Sequence, residues 1–234
     1  MRPALIAVSH GTSSPAGQAA VAGLVDAVRR RLPDVGVSEA FVDVQKPSPA
    51  EVLDAFAGPA VVVPLLLAPG FHVHVDIARS VEGRDATAAP VLGPSRAITA
   101  ILLDRLRAAG LQTEDAVVLG VAGSSDVRAH QSIDRAAARL AMRLGREVMV
   151  GHLGGTGRRV DDVIMEAQAS GRRVVVATYL LAPGHFADLL DRGDADVVAA
   201  PLLDAGPPDP RLVQVVIDRY ESMAGTRHQL RRAS

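Results

Sequence analysis

Two stretches of the chain read almost alike: Val61 to Gly70 is VVVPLLLAPG, and Val174 to Gly184 is VVVATYLLAPG. Each is an apolar run of strand length closed by Pro-Gly, the pattern of a parallel strand buried on both faces with a turn at its carboxyl end. A second pair follows in the same order, PVLGPSRAITAILLDRL from Pro90 to Leu106 and PLLDAGPPDPRLVQVVIDRY from Pro201 to Tyr220. Self-similarity of this kind means that one supersecondary pattern is used twice. The chain therefore reads as two homologous α/β halves, residues 1–110 and 111–225, followed by a polar tail over 226–234.

The intervening segments fit this division. Ala4 to Val8 is a short apolar run closed by Ser9-His10-Gly11, and Ala19 to Leu32 has helical spacing with Arg29-Arg30-Arg31 at its dipole-compatible end. A strand over Val37 to Val44, a helix opened by Ser48-Pro49 and a strand over Ala60 to Leu67 come next, with Pro64 suited to an edge or a bulge. A strand over Ala88 to Leu92 and a helix from Pro94 to Leu106 complete the first half. The second half repeats the pattern: strands at Ala116 to Val121, Glu147 to Gly151, Arg173 to Leu180 and Asp196 to Ala199, and helices at Asp126 to Leu144, Arg159 to Ala169, after Gly184 and from Pro208 to Ala224. Such alternation predicts two doubly wound parallel-sheet α/β domains facing a central cleft, with ligands at the carboxyl ends of the strands.

Composition narrows the partners. A formal net charge of -1 favours neither nucleic acid nor an anionic membrane. With no cysteine in the chain, disulfides, zinc–thiolate sites and iron–sulfur clusters are excluded. The opening MRPALIAVSHG enters a strand at once, leaving no room for a signal peptide, and no apolar run reaches the ~20 residues of a membrane span. A cytoplasmic protein is expected.

The candidate chemistry lies in two loops of the first half. His10 follows the first strand, and the segment GFHVHVD after the third supplies His72, His74 and Asp76. Asp43, near the end of the second strand, belongs to the same rim. Two imidazoles and a carboxylate can hold a first-row divalent ion and take up protons near neutral pH. Matching Val8-Ser9-His10-Gly11 to Val121-Ala122-Gly123-Ser124, and Pro69-Gly70-Phe71-His72 to Pro183-Gly184-His185-Phe186, leaves the second half without the first histidine and with the other one position early. One site, centred on the first half, is the expectation, with His185 lining the cleft and His130 and His152 structural. Gly154-Gly155-Thr156-Gly157 lacks the residues of a phosphate loop. Arg79, Arg84, Arg96 and Arg128 fall near strand ends, where they can meet ligand carboxylates.

Val8-Ser9-His10-Gly11-Thr12 after the first strand, Phe41 to Ser48 ending in Pro-Ser, and Gly70-x-His72-x-x-x-Asp76-Ile77 after the third strand together resemble the sirohydrochlorin chelatases of the double-length type. The resemblance implies a lyase-type enzyme that inserts Fe2+ or Co2+ into the tetrapyrrole sirohydrochlorin with release of two protons, on the way to siroheme or cobalamin. It implies that His10 and His72 are the catalytic, metal-handling pair and that Asp43 stands where the family has an acidic residue. His74 has no firm counterpart there; two residues beyond His72 it falls on a different face, which makes it a supporting group. Ser9, Gly70, Phe71 and His185 are then expected to contact substrate. The metal is a substrate, no permanently bound cofactor is expected, and the chain is a monomer or a homodimer. Two other readings use the same rim. One is a tetrapyrrole or metal carrier without turnover; the other is a phosphatase with a strand-end histidine, against which Ser9 stands where such enzymes favour arginine.

Overall fold

The structure, a computed structural model, describes the backbone of residues 2–70 and 73–233; the side chains of 73, 74 and 226–233 fall outside that description. In the first half the chain runs β1 (Ala4–Ser9), α1 (Pro15–Arg31), β2 (Val37–Phe41), α2 (Pro49–Ala55) and β3 (Ala60–Pro64). After a π-helical turn over Val73–Ile77 come α3 (Ala78–Val81), β4 (Ala86–Ala88) and α4 (Arg96–Ala108). The second half runs β5 (Ala116–Ser124), α5 (Val127–Leu144), β6 (Val148–Gly155), α6 (Val160–Gln168), β7 (Val174–Tyr179), α7 (His185–Asp191), β8 (Val197–Val198) and α8 (Pro210–Ala233).

The strands form two parallel sheets of identical topology, ordered β2-β1-β3-β4 and β6-β5-β7-β8. Alternate side chains serve opposite faces, as the strand period requires. In the first sheet Leu5, Ala7, Val61 and Val63 join one core while Ala4, Ile6, Val8, Ala60 and Val62 join another. In the second, Val117, Leu119, Val121, Val175 and Ala177 face inward, and Ala116, Val118, Val174 and Val176 face outward. Burial on both faces explains why these strands read as unbroken apolar runs rather than as alternating ones.

The inner faces are covered by exchange. α1 lies on its own sheet at β2 and α5 on its own at β5 and β6, but α4 of the first half packs against β7 and α8 of the second packs against β3. The helices α1, α8, α4 and α5 touch in that order, giving one helical layer between the two sheets. Its core runs continuously from Leu5 and Leu24 through Leu102 and Leu106 to Leu119, Leu140 and Tyr220. Outside each sheet lies a smaller core, with α2 on β1 and β2 in the first half and α6 and α7 on strands of the second. Helix starts follow the expected caps: Ser14, Ser95 and Asp126 accept main-chain N–H groups, and Ser48 with Glu51 forms a full capping box.

Several elements differ from the sequence reading. The fourth strand is Ala86–Ala88, not Ala88 to Leu92; beyond it the chain keeps touching β3 and the loop after it through single bonds, Ala89 N–H to Val62 and Leu92 N–H to Leu66. Pro64 lies in a central strand, but past the point where β4 stops pairing with β3 at Val62 and Ala88, so its missing N–H costs no bond to that neighbour. β6 continues to Gly155, placing the first glycines of Gly154-Gly155-Thr156-Gly157 in a strand. The final helix does not stop near Ala224 but continues to Ala233, through the stretch read as a polar tail.

Because α4 belongs to the shared layer, damage to it should be felt by both halves. Leu106→Ala removes a fully buried side chain from that layer and is expected to cost about 2–5 kcal/mol. Urea unfolding followed by circular dichroism checks this; one shared transition should move to lower denaturant, with neither half unfolding first.

Candidate functional site

In a sheet ordered β2-β1-β3-β4 the chain reverses its direction of travel between β1 and β3, so the loops leaving those strands part and open a crevice at their carboxyl ends. His10 begins the loop after β1, and Leu65 to Gly70 is the described part of the loop after β3. Asp43 follows β2 on the other side of β1. Main-chain bonds hold the segments after β1 and β2 together: the Val42 N–H donates to the Ser9 carbonyl at 3.0 Å and the Asp43 N–H to the His10 carbonyl at 2.9 Å.

The turn depends on Gly11. Its φ of +90° is left-handed, and a Cβ there would stand 2.2 Å from the Asp43 carbonyl oxygen. His10 is exposed, with Nδ1 3.3 Å from the Gly11 carbonyl oxygen. Asp43 is exposed too; its Oδ1 accepts the Val44 N–H at 2.8 Å, and Val44 itself takes a φ of +60°. The loop after His10 is braced by Gln45 Oε1, which accepts the Thr12 N–H at 2.9 Å, and by Gln18, whose amide donates to the Thr12 carbonyl at 2.8 Å. Ser9 is only 5 % exposed, below the rim at the end of β1.

The second half closes over this rim. A Cβ on Gly17, in the first turn of α1, would stand 2.4 Å from the Pro183 carbonyl oxygen, and Thr12 Oγ1 lies 3.1 Å from the corresponding point on Gly184. Gly70 is similarly 3.5 Å from Ser124 Oγ. The β1 loop thus faces the β7 loop, and the β3 loop faces the β5 loop. His185 is exposed as the first residue of α7, its ring 5.5 Å from that of Phe186.

Strand register corrects the matching of the halves. Leu5 pairs with Val37 and Val61 as Val117 pairs with Val148 and Val175. Gly123 therefore corresponds to Gly11, with the same φ of +90° and the Gly154 carbonyl where Gly11 has that of Asp43. His10 corresponds to Ala122 rather than to Gly123, one position from the sequence match, and Asp43 to Gly154. The match of Phe71 and His72 to His185 and Phe186 follows the β3 and β7 registers. Each of His10, Asp43 and His72 is thus replaced in the second half by a residue without a ligating side chain.

Phe71 and His72 lie outside the described residues, as does the side chain of His74. Among the described residues no group of three or more His, Cys, Asp or Glu side chains is arranged to hold a metal ion; of the candidate metal-handling and supporting residues, the side chains described are those of His10 and Asp43. Two of the candidate arginines are already paired: Arg84 binds Asp54 through two bonds of 2.8 and 3.0 Å, and Arg128 binds Asp126. Arg79 and Arg96 are exposed.

The other histidine pair sits in the second half. His130 Nε2 is 2.8 Å from the Ser124 carbonyl oxygen, and its ring lies 5.0 Å from that of His152. His152 is 5 % exposed, covered by Gly157, and its Nδ1 has no partner. Burial chiefly, and His130 next, hold its pKa below the usual imidazole value, with Asp134 opposing.

The sequence matches the CbiX family over residues 4–109 and again over residues 116–222. The chain belongs to the CbiX family. A sirohydrochlorin cobaltochelatase of Methanosarcina barkeri (strain Fusaro / DSM 804) is 32% identical over 79 residues, which cover 32% of this chain and 61% of that protein. The match thus spans less than two thirds of the curated relative's length. SirB from Bacillus subtilis with Fe3+ superposes with a TM-score of 0.80 at 20% identity, covering 98% of both chains. The sirohydrochlorin chelatase SirB from Bacillus subtilis subspecies spizizenii in complex with cobalt gives 0.77 at 19% identity, covering 96% of both. These two likenesses establish the fold, with both CbiX repeats in place.

Two residues that shape the rim carry no mark in the sequence: Gln45, which braces the β1 loop, and Tyr179, whose hydroxyl reaches Leu67. Gly11 is legible as part of the turn that closes β1, but its left-handed φ of +90° is not.

Gly11→Ala is expected to cost at least about 1–3 kcal/mol, since it combines a left-handed backbone with a clash; a lowered thermal midpoint checks it. His152 gives a pH signature. Its folded pKa lies below that of the unfolded chain, so its contribution is complete above about pH 6.5 and is lost as pH falls below that value. His152→Gln should flatten the acid-side fall of the urea midpoint between about pH 7 and pH 5.

Proposed function

We propose that the chain is a sirohydrochlorin chelatase, a lyase-type enzyme that inserts Fe2+ or Co2+ into the macrocycle with release of two protons. The observation that carries this reading is the CbiX match over both halves, combined with His10 and Asp43 at the first half's switch point, where the second half has Ala122 and Gly154. The names of the relatives support it: one is a cobaltochelatase, and the two SirB structures contain Fe3+ and cobalt.

Insertion asks little of a protein as a ligand. The macrocycle supplies four nitrogens, so protein ligands must be few and exchangeable, and neutral imidazoles meet that need. In this reading His10 and His72 hold the incoming ion and accept the two pyrrole protons, with Asp43 beside His10 on the same rim passing protons on to solvent. The exposure of His10 and Asp43 suits groups that must shed a proton and a metal ion at every turnover. The apolar loops Leu67-Ala68 and Leu181-Ala182 flank the macrocycle, Gly70 and Phe71 line it on one side and His185 on the other, and His74 supports His72. Ser9, 5 % exposed at the end of β1, lies at the floor of the substrate site. Selection between iron and cobalt follows metal supply as much as ligand type, so both ions are substrates in this proposal.

His10→Ala and His72→Ala should each slow insertion by about 10²-fold or more, followed by the change in tetrapyrrole absorbance with each metal in turn. His185→Ala should stay within a few-fold of wild type. Normal rates in both of the first two variants would remove the histidine pair from the mechanism. A single turnover per chain, in place of many, would make the protein a carrier.

A further inference from the structure

We infer that Tyr179 is a positioning residue for the metal-handling loop of the opposite half, acting through a buried hydrogen bond to the Leu67 carbonyl. The inference rests on the chelatase reading of that loop.

Tyr179 is the last residue of β7 and is 4 % exposed. Its hydroxyl donates to the Leu67 carbonyl oxygen at 3.2 Å, a contact between residues of different halves. Five residues beyond Leu67 the chain reaches His72. The duplicated fold supplies an internal control. In the second half the Leu180 and Leu181 carbonyls both accept main-chain N–H groups, from Leu202 at 3.1 Å and from Leu203 at 2.8 Å. In the first half Leu66 keeps the corresponding bond, from the Leu92 N–H at 2.8 Å. Leu67, the counterpart of Leu181, instead takes the tyrosine hydroxyl of the other half. The counterpart of Tyr179 itself is Leu65, which has no hydroxyl to return.

Gly93 fits the same arrangement. It stands where the second half has Leu203, and a Cβ there would lie 2.1 Å from Tyr179 Oη and 2.3 Å from the Leu67 oxygen. The space a side chain would fill is the space the hydroxyl uses. Burial raises the Tyr179 pKa far above that of free tyrosine, so the group remains a donor throughout the working range. A neutral bond in a dry setting holds its carbonyl without the screening that weakens surface contacts. The half that keeps the ligating residues thus has the base of its loop fixed from across the interface, whereas the half that lacks them closes the same loop on itself.

A second tyrosine separates positioning from stability. Tyr220 Oη donates to the Pro3 carbonyl at 2.7 Å, also between halves and also from a buried ring, but at the amino end of β1. Tyr179→Phe and Tyr220→Phe each remove one such hydroxyl and should lower the thermal midpoint to a similar degree. Only Tyr179→Phe should act on insertion, raising the KM for Co2+ about three- to tenfold with the KM for sirohydrochlorin unchanged. His72→Ala is measured beside them. Wild-type kinetics in Tyr179→Phe with His72→Ala impaired would overturn the positioning role alone. Equal kinetic losses in both tyrosine variants would also overturn it, as a general stability effect. Wild-type kinetics in His72→Ala would overturn the site reading and this inference with it. Should Tyr179→Phe not fold, Gly93→Ala pushes the same bond apart and should raise the Co2+ KM likewise; an unchanged KM there counts against the inference.

Discussion

A parallel sheet has to be covered on both faces, and this chain meets that demand by lending each half's last helix to the other. β3 is roofed by α8 and β7 by α4, so neither sheet is complete without the far end of the other repeat. Shared coverage merges what would be two small inner cores into one, running from Leu5 to Tyr220. It also fixes how the carboxyl ends of the two sheets meet, because the layer that joins them sets their relative orientation. The rim where Thr12 approaches Gly184 and Gly70 approaches Ser124 is a product of that layer.

The symmetric frame carries different side chains at matching places. The turn geometry at Gly11 and Gly123 is the same in both halves, so the fold does not by itself require a histidine before it. The first half has His10 and Asp43, and the second has Ala122 and Gly154 at the matching places. In the proposed chelatase the first half carries the reaction and the second supports it.

Much of this was legible in the residues. Unbroken apolar runs announced buried parallel strands, Ser48 and Asp126 marked helix starts, and the LAPG repeat revealed the duplication. The helix exchange was not legible, because the apolar face of α4 is the same whether it covers β3 or β7. The one-residue shift that pairs His10 with Ala122 was hidden since Val121-Ala122-Gly123-Ser124 carries no side chain to mark its register. β4 was misplaced because Pro90 to Leu92 is more apolar than Ala86 to Ala88, although its bonds to β3 and the loop after it come singly. The Tyr179 hydroxyl gave no signal at all: its partner is a main-chain carbonyl, which every residue has.

The exchange of helices has a consequence for synthesis. A chain leaving the ribosome from its amino end forms β1, β2, β3 and β4 long before α8 exists, and domains ordinarily fold as units in that order. Here the inner face of β3 stays without its cover until Pro210 and the residues after it have emerged. The contacts that finish the first sheet are thus among the longest-range in the chain, and loop closure over such separations is slow. The nascent protein therefore carries an apolar strip without its native cover, Val61 and Val63 among it, through more than half of its own translation.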